Sequence, residues 1–389
     1  MALDTAIYLD HAATTPVAAE VLEAMLPHLA GACGNPSSVH AAGRRARAAV
    51  DEARDRLAAV LGCAPGEIVF TSGGSEADNL AIRGALDRRG GGHLVITAIE
   101  HDAVMKCAEH LGGLGRARVT VVGCDSRGVV DPEAVAAAVT EDTVLVSMML
   151  ANNEVGTIQD VARAAELVRR RNPRTLLHTD AVQALGKLPL GLEELGVDLL
   201  SVAAHKVYGP KGTGALVVRR GTTLAPQLSG GGQERGRRAG TENVAGIAGF
   251  GVAATLVEAE REAEWARLSA LADRLRERIS SELPWAVLTS EGASRLPSFA
   301  TFAFEDVPTE VLLTRLDGRG VEASGGSACS SGARMPSHVL TAMGLPPALA
   351  GGALRLSLGR TTTSEEVDAA ATVIVEAAAA AREALSVRA

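Results

Sequence analysis

Lysine is scarce in this chain of 389 residues: four lysines, at positions 106, 187, 206 and 211, stand against 34 arginines. Aromatic residues are few as well, at 2%, so the interior has to be built mainly from Ala, Val, Leu and Ile. A hydrophobic content of 47% supplies enough of them for a substantial core. No uncharged apolar run approaches the roughly 18 residues that cross a bilayer, which excludes a membrane-spanning helix. The start, MALDTAIYLDHAATTP, has neither a basic cluster nor an apolar stretch behind it, so no signal peptide is expected. The five cysteines (33, 63, 107, 124 and 329) are an odd number with no C-x-x-C pair, which favours a reducing, cytoplasmic setting over a disulfide framework. Positive charge is not in excess either. The net charge is −8 and arginine is spread along the chain, which argues against nucleic acid as a direct ligand.

In a chain so biased toward arginine, each remaining lysine invites a chemical reason. Arginine stays charged and forms no imine, whereas a lysine amine can be deprotonated and can form one. Lys206, in His205-Lys206-Val207-Tyr208-Gly209-Pro210-Lys211-Gly212, follows the apolar run Val197 to Ala204 and opens onto a Gly/Pro turn. Asp180 ends the run Thr175 to Thr179 in the same way. A Lys and an Asp just past the ends of two strands suit a pyridoxal phosphate site, the Lys for a Schiff base and the Asp to keep the pyridine nitrogen protonated. From these two residues alone, a surface lysine and a helix-capping aspartate remain an open alternative.

At this length the chain accommodates two or three domains, or one large α/β unit with a smaller partner. Between about 16 and 250, β-rich runs (68–70, 93–97, 118–122, 144–148, 175–178, 199–203 and 214–218) alternate with helical periodicity (44–61, 75–88, 131–139 and 161–171). That alternation predicts a mostly parallel seven-stranded sheet covered on both faces. Ligands of such sheets bind beyond the carboxyl ends of the strands, where Asp180 and Lys206 are expected. A long helix over 244–281 leads to a second unit with strands at 298–304 and 353–357 and helices at 309–318 and 364–385. We therefore expect a large cofactor domain over 16–255. A small α+β domain is expected from 1–15 and 256–389, with a loop at about 324–337.

Further segments bear chemistry. Thr71-Ser72-Gly73-Gly74-Ser75-Glu76 passes from a strand into a helix, and backbone N–H groups at such a start suit a phosphate; a plain Ser N-cap is the bland alternative. Ile99-Glu100-His101 offers an imidazole able to stack on a flat cofactor and to carry protons. Asn152-Asn153-Glu154 offers amides for an exocyclic oxygen or a carboxylate. Polar residues thus close three successive strands (His101, Asn153, Asp180) with Lys206 on a fourth, a coincidence that capping alone does not explain. Ala323-Ser324-Gly325-Gly326-Ser327-Ala328-Cys329-Ser330-Ser331-Gly332 surrounds one thiol with small residues, either a mobile reactive Cys or an incidental one in a linker. Cys33 lies among glycines, while Cys63, Cys107 and Cys124 are expected to be structural. Arg355 is a charge inside an apolar strand, to be paired by a ligand carboxylate or by a core Asp or Glu.

The segments YLDHAATTP, GNPSSVH, FTSGGSEADNLAI, IEHDAV, NNEVGTIQD, HTDAVQALGK, AAHKVYGPKGTGAL, GGGQERGRRAGTEN, SGGSACSSG and LRLSLGRTTT run in order from residue 8 to 363. In this the chain resembles the cysteine desulfurases of the NifS/IscS class, fold-type I, class V aminotransferase-like enzymes. The resemblance implies that Lys206 binds pyridoxal 5'-phosphate, that His101 stacks on its ring and acts as acid/base, and that Asp180 pairs with the pyridine nitrogen. It gives Gln183, helped by Asn153, the phenolic oxygen. Gly74, Ser75 and His205 would hold the phosphate with Thr241 of the neighbouring subunit in a homodimer. Arg355 and Asn35 would hold the carboxylate of L-cysteine, with Asn153 also among the substrate-binding residues, and Cys329 would take its sulfur as a persulfide for a protein acceptor in iron–sulfur cluster assembly or thiolation. No metal is implied. Selenocysteine lyase and aminotransferase are the alternatives within the same family, and the Cys329 loop favours sulfur removal over transamination. One departure stands out: the family pattern has Ser where this chain has Ala203.

Overall fold

The structure, a computed structural model, describes residues 6–326 and 337–386. The chain enters on the short strand β1 (Ile7–Tyr8), followed by helices α1 (Ala19–Ala30) and α2 (Ala41–Val60). Alternation then begins with β2 (Ile68–Thr71), α3 (Gly74–Arg89), β3 (Gly92–Thr97), α4 (Asp102–Gly113), β4 (Ala117–Val122) and α5 (Pro132–Ala137). It continues through β5 (Thr143–Ser147), α6 (Val161–Arg171), β6 (Leu176–Asp180), β7 (Leu199–Ala203) and β8 (Gly214–Val218). Strands β2 to β8 form one seven-stranded sheet in the order β2-β8-β7-β6-β5-β3-β4. Every pairing from β7 to β4 is parallel, and β8 alone runs against both its neighbours. The apolar runs of the sequence become central strands because both faces are covered. Val69, Leu94, Leu145, Leu199 and Leu216 pack under α3 and α4, while Phe70, Val95, Val146, Leu200 and Val217 pack on the opposite side with α2 and α6.

Helix α7 (Val244–Glu282) carries the chain out of this unit. Asn243 caps it, its side chain accepting from the Gly246 amide at 3.1 Å. Beyond it lie β9 (Ala286–Leu288), β10 (Phe299–Phe304), α8 (Thr309–Asp317), β11 (Val321–Glu322), α9 (His338–Ala342), α10 (Pro347–Ala350), β12 (Ala353–Ser357) and α11 (Ser364–Ser386). Strands β12, β10 and β9 make an antiparallel sheet, and β1 pairs in parallel with β11. Ile247, Phe250 and Val257 of α7 belong to the core of the large sheet, whereas Leu268, Leu275 and Ile279 join Phe302, Leu354 and Ile374 in a second apolar centre. One helix therefore serves two cores. The N-terminal segment that follows β1 threads between them: the Ala12 amide donates to Ser357 Oγ at 2.8 Å and the Thr15 amide to the His205 carbonyl at 2.9 Å.

Candidate active site

At the carboxyl edge of the large sheet lies a cavity of about 350 Å³, lined among others by His101, Asn153, Asp180, Gln183, His205, Lys206 and Arg355, with Gly74 and Ser75 at one end. Each arrives by a local device. The chain turns sharply after β7 through Ala204–Lys206, which brings Lys206 to the cavity. Its Nζ donates to the carbonyls of Ala12 and Ala13, both at 2.6 Å. Asp180 closes β6 and starts a turn, Oδ1 accepting from the Val182 amide at 2.9 Å. Burial pushes its pKa up, and the nearby His101 and Lys206 oppose that rise. His101 caps α4, its Nδ1 accepting from the Ala103 amide at 3.1 Å. With Nδ1 engaged as an acceptor, the N–H of the neutral ring belongs on Nε2. His205 Nδ1 lies 3.3 Å from Thr14 Oγ1, and burial, aided by Lys206 and Lys211, pushes its pKa down to about 4.

The start of α3 has its own geometry. Gly73, at φ +153°, precedes the first turn in a conformation suited to glycine. A Cβ on Gly74 would meet Val182 Cγ2 at 2.8 Å, so the helix start sits hard against the turn after Asp180. Ala203 is fully buried and lines the same end. Arg355, 2% exposed, reaches in from β12, donating to Asp10 Oδ1 at 2.8 Å and to the Asn153 carbonyl at 2.8 Å. The core ion pair foreseen as the bland alternative is thus present, with Asp10. Arg355 nonetheless lines the cavity, and its Nε has no hydrogen-bond partner among the described residues.

Two residues expected at the site do not line this cavity. Asn35 is exposed and accepts from the Ser37 amide at 2.9 Å; Thr241 is exposed ahead of α7. Cys329 lies outside the described residues. On either side of that segment, the Gly326 carbonyl accepts from Arg355 Nη1 at 3.4 Å and Ser337 Oγ donates to Glu154. Of the other cysteines, Cys33 is exposed, Cys107 is buried, and burial pushes the Cys63 thiol up to about 12.

A buried polar layer adjoins the cavity, reaching it through Asp78. His178 accepts or shares protons with Ser147 Oγ at 2.8 Å and Ser201 Oγ at 3.0 Å, and its Nε2 lies 3.6 Å from Asp78 Oδ1. Burial pushes His178 down to about 3 and pushes Asp78 up, the neighbouring Asp180 adding to the latter. Asp180, unlike Asp78, has His101 and Lys206 beside it to oppose that rise. Glu100 takes Thr97 Oγ1 at 2.6 Å and the Met149 amide at 2.8 Å on Oε1, and burial raises its pKa to about 8. Glu100 and Asp78 look like helix-start residues in sequence; only the tertiary packing buries them.

The donor set fits pyridoxal phosphate. A buried carboxyl at the sheet edge, a lysine amine, a capping imidazole and a glycine-rich helix start surround one cavity. The side-chain oxygens of Asn153 and Gln183 are buried there without a partner among the described residues. An α/β sheet of this order with such a site defines a pyridoxal-phosphate transferase fold. The chain matches the family model "Aminotransferase class-V" over residues 7–370. It is 45% identical over 365 residues to the cysteine desulfurase IscS of Dictyoglomus turgidum, covering 93% of this chain and 92% of that one. A solved NifS-like protein superposes with a TM-score of 0.89 at 38% identity, covering 96% of this chain and 99% of the other. The structure of SspA in complex with cysteine superposes at 0.80 with 35% identity, covering 90% and 98%. The chain belongs to the class-V aminotransferase family, among the pyridoxal phosphate-dependent cysteine desulfurases of the NifS/IscS class.

Proposed function

We propose that this cysteine desulfurase takes sulfur from L-cysteine, leaving L-alanine, and hands it as a Cys329 persulfide to a protein acceptor. The observation that carries the residue assignment is the meeting of Lys206, Asp180 and Arg355, from three strands and two packing units, in one cavity. Bound pyridoxal phosphate supplies an electron sink for the carbanion at the substrate α-carbon. Lys206 would hold the cofactor covalently, and its amine is the base placed to move the substrate α-proton. Asp180 holds the proton on the pyridine nitrogen. Gly74, Ser75 and His205 bind the phosphate, with Thr241 of a second subunit completing that site. Gln183 and Asn153 bond the phenolic oxygen. Arg355 orients the substrate carboxylate, with Asn35 as a second contact. His101 stacks on the ring and exchanges a proton at Nε2. The Cys329 thiolate attacks the substrate sulfur; the new S–S bond forms as the C–S pair returns to the substrate carbon, which is then protonated to alanine.

We also propose a homodimer, a cytoplasmic setting, and an acceptor in iron–sulfur cluster assembly or thiolation. The proposed division between large and small domains, at 255/256, falls within α7, just ahead of the stretch from Val257 to Leu268 over which the helix passes from the first core to the second. The decisive experiment compares Cys329→Ser with the parent: sulfide release from L-cysteine should vanish while the yellow cofactor band remains. Full turnover by that variant would remove Cys329 from the reaction.

A further inference from the structure

A smaller cavity of about 40 Å³, between the two packing units, shares Ala12, Gln183 and Lys206 with the main one. It is lined by Lys206 and by a second of the four lysines, Lys187. Of the remaining two, Lys106 is exposed and pairs with Glu109 at 3.0 Å, and Lys211 is exposed. Lys187 is different. The chain coils back after β6 through bonds from the Lys187 amide to the Ala184 carbonyl and from the Leu185 amide to the Ala181 carbonyl, both within 3.1 Å. This coil brings the ammonium to 3.0 Å from the Gln183 carbonyl. The charged and titratable groups around the cavity come from four directions: His11 from the N-terminal segment, Glu260 and Glu264 from α7, Tyr208 from the turn after Lys206, and Arg360 beyond β12. Both carboxylates are already engaged, Glu260 with Arg360 at 2.8 Å and Glu264 with Arg267 at 2.7 Å. Asp180 and His101 line the main cavity together with Lys206. Lys187 therefore holds its charge in a poorly compensated place. Burial, and then Lys206, push its pKa down to about 8; burial, and then Lys187, push that of His11 to about 4.

We propose that Lys187 is a positioning residue for Lys206: its ammonium, across the shared cavity, disfavours a second positive charge on the Lys206 nitrogen. Coupling between two charges is reciprocal, so the group that feels Lys206 acts on it equally. The consequence is a lysine nitrogen that sheds its proton at lower pH, which suits both cofactor attachment and proton abstraction. Arginine at 187 would keep the charge, and a neutral side chain would lose it. The inference rests on Lys206 being the cofactor lysine.

The test uses the cofactor-loaded enzyme and its visible absorption band titrated with pH. Lys187→Gln, which keeps a donor for the Gln183 carbonyl, and Lys187→Met should both raise the apparent pKa of the band by about half a unit or more. Lys187→Arg, which keeps the charge at every pH titrated, should stay at the parental value or fall below it. Two neutral variants are used so that misfolding of one leaves the other. Borohydride reduction followed by peptide mapping locates the cofactor in every protein. A label on Lys206 with neutral variants titrating like the parent overturns the role of Lys187. A label on another lysine overturns the assignment of Lys206, and the proposal with it.

Discussion

Ala203 stands, fully buried, beside Gly74 at the end of the cavity proposed to take the phosphate, where the family pattern has a hydroxyl. Ala203→Ser should therefore tighten cofactor binding by about 0.5–1.5 kcal/mol, a twofold to roughly tenfold gain, read by titrating cofactor-depleted protein with pyridoxal phosphate. Unchanged affinity would mean that the remaining donors already satisfy the phosphate. Glu100 carries a pH dependence. Its pKa in the fold is about 8, above an ordinary 4.5, so the folded state prefers the protonated acid. That contribution is complete below about pH 4.5 and disappears as pH rises through 8, at up to about 1.4 kcal/mol per pH unit. Glu100→Gln should flatten this fall, and urea unfolding at pH 5.5 and 8.5 compares the slopes. The strand-end residues were legible because each polar group interrupts an apolar run. Glu100, Asp78 and Lys187 were not, because their burial comes from elements distant in sequence.

The elements themselves were largely readable where one period dominates. Helix α6 matches its expected span of 161–171, and β7, β8 and β12 match theirs. Helix α1 has leucines 22, 26 and 29 at helical spacing, yet all three are exposed, so its apolar stripe does not mark the face it buries, where Val21 lies. The reversed direction of β8 was also hidden, since a strand buried on both faces reads the same either way. Edge strand β2 is secured by charge rather than by its apolar residues alone. Arg54 of α2 pairs with Glu234 at 2.7 Å; it donates to the Ile68 carbonyl, and Glu234 accepts from the Phe70 amide at 3.0 Å. Both side chains are buried, at 5% and 2%. Glu234→Ala leaves that guanidinium uncompensated and should cost about 3–5 kcal/mol in chemical denaturation. Loss of under 1 kcal/mol would show that water reaches Arg54.

At the scale of the whole molecule, the change from βα alternation to an α+β stretch in the sequence coincides with a second apolar centre in the fold. The helix joining them was visible in the sequence, over 244–281 against the observed Val244–Glu282. What a single sequence conceals is where the second unit leans on the first, and hence the cavity shared by Lys187 and Lys206. Thr241, exposed and outside the main cavity of its own chain, fits a role across a subunit boundary. Sedimentation should accordingly return twice the mass of one chain; a monomer that retains cofactor normally would remove Thr241 from the phosphate site.

The antiparallel pairing of β7 with β8, Ala203 opposite Gly214, bears on the order in which the molecule assembles. Parallel neighbours such as β6 and β7 need a long connection closed before they pair, whereas β7 and β8 are joined by the short stretch that contains Lys206. Short loops close at lower entropic cost and faster. The lysine's bend therefore belongs to the most local pairing in the sheet, and in a refolding chain it can be in place before Asp180, His101 or Arg355 arrive to meet it.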